Sequence, residues 1–417
     1  MSILAQRPEH IPDALVYDFD MYHDAALVEN APARILDIAS NAPPVFWTPH
    51  NGGHWIITTF RAAAKAARDW ESFSSNSAKY ARKAVSAGAP APKASHDGGE
   101  SQALTAVPIQ LDPPEHAKYR APLNSVFSPK AMMALQDKIR NRAAELIESI
   151  RVRGRCEFMT EIAEPLPVEI FLELFGLPLD RLHEFHDLVV NHLSQNADHN
   201  DGQRWLRSIA DAMNETLLDR RVNPRNDIIS LLWQTTVEGK PLTLHDMENY
   251  CVLLFIAGLD TVMNAMGHGV GHLARNPGLQ EKLRANPKLI PEAGEELLRC
   301  YSVVQASRMV ARDLVFEGVT LKQGERIWLW YLAADVDEKE FPQAEIVDLG
   351  RENKAHIAFG AGPHRCLGSH LARIELQTLY EEMLARLPPF RLDPNKPVRY
   401  RGGPVVGPKA VHLVWDN

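Results

Sequence analysis

The stretch Phe359-Gly360-Ala361-Gly362-Pro363-His364-Arg365-Cys366-Leu367-Gly368 sets one cysteine just ahead of a helix and surrounds it with glycines. The next residues, Ser369-His370-Leu371-Ala372-Arg373-Ile374-Glu375-Leu376, read as that helix. Its unpaired N–H groups and the positive end of its dipole then lie toward the Cys366 sulfur and favour a thiolate. Gly360 and Gly362 permit backbone conformations and a close approach that side chains would block, leaving room for a flat macrocycle. The other cysteines, Cys156, Cys251 and Cys300, read as small buried hydrophobes. A zinc site built from His356, His364, Cys366 and His370 has no Cys-x-x-Cys pair behind it and leaves the glycines unexplained.

Outward from that loop, the chain has the composition of a large enzyme. Its 417 residues are 45% hydrophobic and 24% charged, enough for a substantial core. Length alone allows two or three domains. Motifs more than about a hundred residues apart must meet at one site, so the expectation is a single domain over 1–417. A net charge of −8 argues against a nucleic-acid partner. Four scattered cysteines give no disulfide framework and point to a reducing cytoplasm. The first ten residues lack the apolar run of a signal or anchor, and the apolar run 250–259 is short for a bilayer span. The expectation is a soluble, cytoplasmic monomer with no membrane partner.

The periodicities predict a mainly α protein with small peripheral β-sheets. A hairpin is predicted for 45–48 and 54–59 around Pro49-His50-Asn51-Gly52-Gly53. Helices are predicted over 60–70, from Asp112 as N-cap, over 130–153, over 289–301 and over 368–385. The pattern from 243 to 275 reads as one helix of roughly 50 Å that must cross the interior. Short strands are predicted at 314–321, 326–331 and 411–415. The Ser-, Ala-, Gly- and Pro-rich segment 74–106 and the polar stretch 194–202 read as a lid that opens for substrate.

The cysteine loop fills every fixed position of Phe-Gly-x-Gly-x-His-x-Cys-x-Gly and so resembles the haem signature of the cytochrome P450 family. Ala257-Gly258-Leu259-Asp260-Thr261 is similar to that family's oxygen-activation motif, and Glu296-Leu297-Leu298-Arg299 to its Glu-x-x-Arg. Leu15-Val16-Tyr17-Asp18-Phe19-Asp20, Asn51-Gly52-Gly53-His54-Trp55-Ile56 and Leu413-Val414-Trp415-Asp416 resemble the soluble bacterial branch that hydroxylates camphor.

The resemblance implies haem b with Cys366 as axial thiolate, framed by Phe359, Gly360 and Gly368. It implies that Arg120, His116, Arg308 and His364 hold the propionates. Glu296, Arg299 and Arg351 take a structural role in fixing the cysteine loop. Thr261 and Asp260 are the catalytic pair that handles protons, and Leu253, Ile256, Ala257, Val304, Leu104, Pro404 and Val405 line a substrate pocket. Counting back from Asp112 puts Leu104 where the camphor enzymes carry a tyrosine donor, and Ala306 replaces an aspartate near a propionate. The implied activity is hydroxylation of a small apolar substrate, a monoterpenoid closer to cineole than to camphor, by O₂.

No flavin or nicotinamide fingerprint is present, so a [2Fe-2S] ferredoxin and its NAD(P)H-dependent reductase are the implied electron donors, docking near Lys118, Arg120 and Arg365. Two rival readings are a peroxide-dependent haem-thiolate enzyme and a haem sensor. The first has no need of Asp260-Thr261, and the second calls for an output domain that the chain does not display.

Overall fold

Thr243 opens the most apolar helical stretch of the chain. Its hydroxyl accepts from the Asp246 N–H while the Asp246 carboxylate accepts from the Thr243 N–H, a reciprocal cap that fixes where the helix starts. The structure is a computed structural model that describes residues 4–77, 79, 103–185, 187–188 and 202–416. In it the rod predicted over 243–275 is two helices, Leu244–Leu259 and Thr261–Arg275, with Asp260 between them at φ −114° and ψ −32°. The cause is local: the Thr261 hydroxyl donates to the Ala257 carbonyl at 3.2 Å, and such back-bonding bends helices.

By length and composition 244–275 could cross a bilayer, a longer apolar window than the run 250–259 suggested, yet 67% of that window is buried within the protein. It packs against helices Pro165–Phe175, Gly202–Val222 and Ser369–Arg386. Phe158, Phe175, Phe185, Tyr250 and Phe255 fill the core around it.

The stretch 130–153 also divides, into Pro129–Met133 and Gln136–Arg151, both lying against Ser369–Arg386. Asp112 is not the helix cap that its position suggests. The helix is Glu115–Asn124 with Pro114 at its cap, and the Asp112 carboxylate instead accepts from the Ser75 N–H at 2.8 Å and from the Ser74 hydroxyl. That bond ties the start of the long loop to the helix that carries His116 and Arg120.

The sheet elements are short and lie at one side. Val45–Thr48 and His54–Ile57 form the predicted antiparallel hairpin, with Val45 opposite Ile57. It joins a five-stranded sheet by a parallel pairing of His54–Ile57 with Arg326–Leu329, followed by Ala306–Val310 and Phe73–Ser74. Arg308 lies opposite Ile327, so it and Met309 project from different faces. The strand predicted at 314–321 is itself a hairpin, Leu314–Phe316 and Val319–Leu321, because Glu317 and Gly318 both adopt positive φ and reverse the chain. The last strand, His412–Trp415, pairs with Phe390–Leu392 and Arg155–Glu157.

Most of the lid predicted over 74–106, and nearly all of 194–202, falls outside the described residues. The described rim at 104–106 is tied down: the N–H groups of Leu104, Thr105 and Ala106 donate to the side chains of Gln203, Asn249 and Gln110 at 2.8–2.9 Å.

Candidate active site

The cysteine loop is shaped by two backbone bonds, Gly360 N–H to the Ile357 carbonyl at 2.7 Å and Cys366 N–H to the Phe359 carbonyl at 2.8 Å. Gly360 and Gly362 have φ of +71° and +70°, a region that L side chains avoid. At Gly362 a Cβ would also come within 2.6 Å of the Ala67 carbonyl oxygen, because the loop presses on helix Phe60–Arg68. Helix Ser369–Arg386 begins three residues after Cys366, and no side chain caps it. Cys366 is exposed. Protein nonetheless crowds its sulfur, and that desolvation pushes the thiol above its ordinary value. The Gly368 N–H and the Arg120, Arg365 and Arg373 guanidiniums oppose the shift without reversing it. The helix end alone therefore does not make the thiolate; coordination to a metal deprotonates a thiol outright.

Beside the loop lies a group of buried basic side chains with few partners in the protein. His116 is 3% exposed and its ring stands 4.3 Å, centroid to centroid, from that of His364. His116 Nε2 and His364 Nδ1 are buried with no hydrogen-bond partner, while His364 Nε2 meets the Ser75 hydroxyl at 3.0 Å. Arg308, 6% exposed, bonds only its neighbour's carbonyl, Ser307 O at 2.8 Å. Arg120 donates to the Arg365 carbonyl at 2.6 Å. Burial, with the charges of Arg120 and Arg308, holds His116 down at about 4, and burial with the same arginines and His116 takes His364 to about 2. Buried cations normally sit against carboxylates. No ion pair involves Arg308 or Arg120 among the described residues, so this cluster is built to receive an anion from outside the chain.

A second wall comes from the bend at Asp260. Ala257 is exposed and Leu253, Ile256 and Thr261 are half-buried, although they belong to the central helices. Exposure in the middle of such an element means that no protein covers this face of the helices among the described residues. Gly258 is required by packing: a Cβ there would lie 2.4 Å from the Phe171 ring. Asp260 is 0% exposed; Arg401 and Asn264 donate to its Oδ1, and its Oδ2 has no partner. Val304 bridges Val405, and the Gln305 N–H donates to the Pro404 carbonyl at 3.2 Å, so these three predicted pocket residues are neighbours. Leu104 lies within the main core, with its backbone held by the Gln203 amide through two bonds of 2.9 Å.

The sequence pattern of the family described as cytochrome P450 matches residues 178–400. A protein described as "Probable cytochrome P450 127A1", from Sinorhizobium fredii, is 34% identical over 417 residues, covering 98% of this chain and 96% of the relative. The crystal structure of CYP101J2 aligns with a TM-score of 0.85 at 33% identity, covering 99% of this chain and 100% of that one. Linalool 8-monooxygenase of Pseudomonas putida is 27% identical over 95% of this chain and 98% of its own length.

The chain belongs to the cytochrome P450 family.

It is an enzyme of the monooxygenase type, and the cofactor of such a P450 is haem b with an axial cysteine thiolate. The residues present fit that group. Its two propionates match the unpartnered ring nitrogens of His116 and His364 and the Arg308 guanidinium, which no carboxylate meets among the described residues. A Cβ added at Gly368 would meet no protein atom within 4 Å, so the surface next to the cysteine is open for a flat ring.

Glu296, Arg299 and Arg351 form the triad expected in this P450. Arg299 donates to both Glu296 oxygens at 2.9 and 3.0 Å, and Arg351 Nε donates to Oε2 at 3.0 Å. Glu296 and Arg299 are 0% exposed. The remaining guanidinium N–H groups bind the carbonyls of Asp335, Pro342, Gln343, Ala344 and Ile346. The triad thus holds the segment before the cysteine loop, and Asp335 carries the connection onward by accepting from the Ile357 N–H at 2.7 Å.

Three functional positions escaped the sequence reading. Glu295, half-buried, is held down at about 2 by His356 and Arg373, and the Arg373 guanidinium lies 4.5 Å over the Phe359 ring. Glu295 stood next to the Glu-x-x-Arg motif and could have been noticed there. Asp335 carries no motif. Arg401 lies in Val398-Arg399-Tyr400-Arg401-Gly402-Gly403, where nothing distinguishes one arginine from the other. The zinc alternative has no geometric basis: among the described residues no three His, Cys, Asp or Glu side chains gather as metal ligands.

Proposed function

We propose that this P450 binds haem b through Cys366 and hydroxylates a small apolar molecule, a monoterpenoid of the ether or hydrocarbon kind. Electrons come from a [2Fe-2S] ferredoxin and its NAD(P)H-dependent reductase. The balance is RH + O₂ + 2e⁻ + 2H⁺ → ROH + H₂O, so turnover depends on proton supply as much as on electrons. When bound, haem supplies O₂ activation, with the thiolate pushing electron density to favour O–O cleavage.

The observation that carries the reading is the pair of buried, unpartnered ring nitrogens of His116 and His364 beside the cysteine loop, next to the buried Arg308 guanidinium that no carboxylate meets among the described residues. Arg120, His116, Arg308 and His364 bind the propionates and orient the ring, with Phe359, Gly360 and Gly368 packed against it. Thr261 holds a hydroxyl proton on the Ala257 carbonyl at the pocket wall, from which rotation turns it toward a ligand. Asp260 passes protons to it. The ferredoxin docks at Arg365 and Arg120. Lys118 contributes less than its position suggested, because Glu115 and Glu238 hold it at 2.6 and 2.8 Å.

Leu253, Ile256, Ala257, Val304, Pro404 and Val405 orient substrate by shape alone, since none carries a donor. Leu104 brings none either, and the neighbouring Gln203 amide is committed to the Leu104 backbone. The P450 relative from Pseudomonas putida is named for linalool, a substrate of similar size. A ketone placed in such a pocket loses its water partner, which costs about 1–3 kcal/mol, or roughly five- to 150-fold in affinity. Spectral titration of the holoenzyme will therefore show tighter binding and a fuller low-to-high-spin shift with cineole or a cyclic terpene hydrocarbon than with camphor. Camphor as the tightest ligand would reject the donor-free pocket.

A further inference from the structure

We infer that Arg401 is the positioning residue for Asp260: it holds that carboxylate ionised, with one oxygen engaged and one free, and so sets when the relay can take up a proton. The inference rests on the monooxygenase reading of Asp260 and deepens it.

The pair is isolated. Asp260 lies in the bend between two core helices and is 0% exposed, while the Arg401 side chain is 11% exposed. Arg401 Nη2 and Asn264 Nδ2 both donate to Asp260 Oδ1. Asp260 Oδ2 is buried with no partner. The Arg401 side chain makes no other hydrogen bond or ion pair among the described residues. The other ionisable groups on the neighbouring elements are engaged elsewhere. His268 meets the Val406 carbonyl at 3.3 Å, the Tyr400 hydroxyl accepts from Arg275 at 3.4 Å, and Glu157 accepts from the N–H groups of Met159, Thr160 and Val411. Arg401 is therefore the one cation that meets the Asp260 carboxylate among the described residues.

That cation comes from the pocket side. Arg401 belongs to the strand Tyr400–Arg401, paired with Gly407–Pro408, and the connection between them carries Pro404 and Val405. This connection is clamped to the opposite wall. The Val406 N–H donates to the Val303 carbonyl at 2.8 Å, and the Gln305 amide donates to the Gly403 carbonyl at 2.5 Å. At its other end Gly407 touches Asn264, for a Cβ there would fall 1.8 Å from Asn264 Oδ1. One short hairpin thus bears on substrate through Pro404 and Val405 and on the relay through Arg401 and Asn264.

A carboxylate pinned to a guanidinium is a poor proton acceptor, whereas a buried carboxylate without a cation is driven to protonate. In the holoenzyme near pH 7, Arg401→Met will therefore gain over the wild type an infrared carboxyl C=O band, shifted in D₂O, additional to that of Glu375, whose carboxyl is pushed well up by burial. The band will vanish in Arg401→Met/Asp260→Asn, and Arg401→Lys will lack it because the charge is restored. In turnover, Arg401→Met will lower kcat about tenfold with KM little changed, and the double variant will match Asp260→Asn alone instead of multiplying the two losses. Arg401→Lys will recover most of the rate.

Absence of the band in Arg401→Met, or multiplying losses in the double variant, would overturn the inference. If Arg401→Met does not fold, Arg401→Lys decides: a kcat equal to wild type supports the charge role, and a loss as deep as that of Asp260→Asn rejects it. The infrared band needs no turnover, so a protein that shows it but oxygenates nothing keeps the Asp260–Arg401 assignment and fails the monooxygenase reading instead.

Discussion

Glu296→Ala will fail to accumulate as folded, haem-loaded protein. The substitution leaves two buried guanidiniums, Arg299 and Arg351, without their shared carboxylate. Breaking a buried ion pair by removing one partner costs about 3–5 kcal/mol, a large part of the 5–15 kcal/mol that keeps a typical domain folded. The loss is directional as well as electrostatic. Arg299 and Arg351 use their remaining N–H groups to gather the carbonyls of residues 335–346, and Glu296 Oε2 also accepts from the Asp348 N–H at 3.0 Å. Without Glu296 that segment is no longer fixed, and neither is its connection through Asp335 to Ile357 and the cysteine loop. Glu296→Gln keeps the volume and some of the bonds, so it should be milder. Calorimetric unfolding and haem content measure the effect; a Glu296→Ala protein with wild-type midpoint and full haem would show that the triad is not structural.

Thr261→Ala and Asp260→Asn will damage turnover in different ways. Removing the Thr261 hydroxyl leaves substrate binding and NADH consumption nearly intact, because the residue adds little to the pocket wall. With the proton donor proposed at the reacting oxygen lost, electrons then leave as free hydrogen peroxide instead of product. Asp260→Asn keeps the shape and the contact with Asn264 but cannot carry a proton, so the rate itself falls, by on the order of 10²-fold for a lost general acid–base group. Measuring product and peroxide per NADH separates the two. Wild-type product yield per NADH in Thr261→Ala would reject its role, and an undiminished rate in Asp260→Asn would reject the relay.

The parts that could be read in advance are those where local chemistry leaves one solution. The cysteine loop is legible because positive φ at Gly360 and Gly362 and the contact with Ala67 admit only glycine. The hairpin at 45–57 follows from its turn residues, and Glu296 with Arg299 from their three-residue spacing on one helix face. Long-range partners were not legible. Arg401 reaches Asp260 across 141 positions, and no local pattern encodes that pairing. The bend at Asp260 was missed because a helical periodicity runs unbroken through it, while a side-chain bond from Thr261 decides the backbone. Asp112 has the sequence of a helix cap, yet its carboxylate is drawn to Ser74 and Ser75, contacts that only tertiary folding creates. The thiol of Cys366 was read from the helix end, its free N–H groups and its dipole, while desolvation by the surrounding protein pushes it the other way.

The central claim is that Cys366 ligates haem iron as a thiolate. The direct measurement is the absorption spectrum of the reduced carbonyl complex, in the wild type and in Cys366→His loaded with haem. The wild type should show the red-shifted Soret band diagnostic of thiolate ligation, and Cys366→His should show a band at the position of histidine-ligated haem. A wild-type spectrum without the red shift, or a red-shifted band that survives in Cys366→His, would contradict the account.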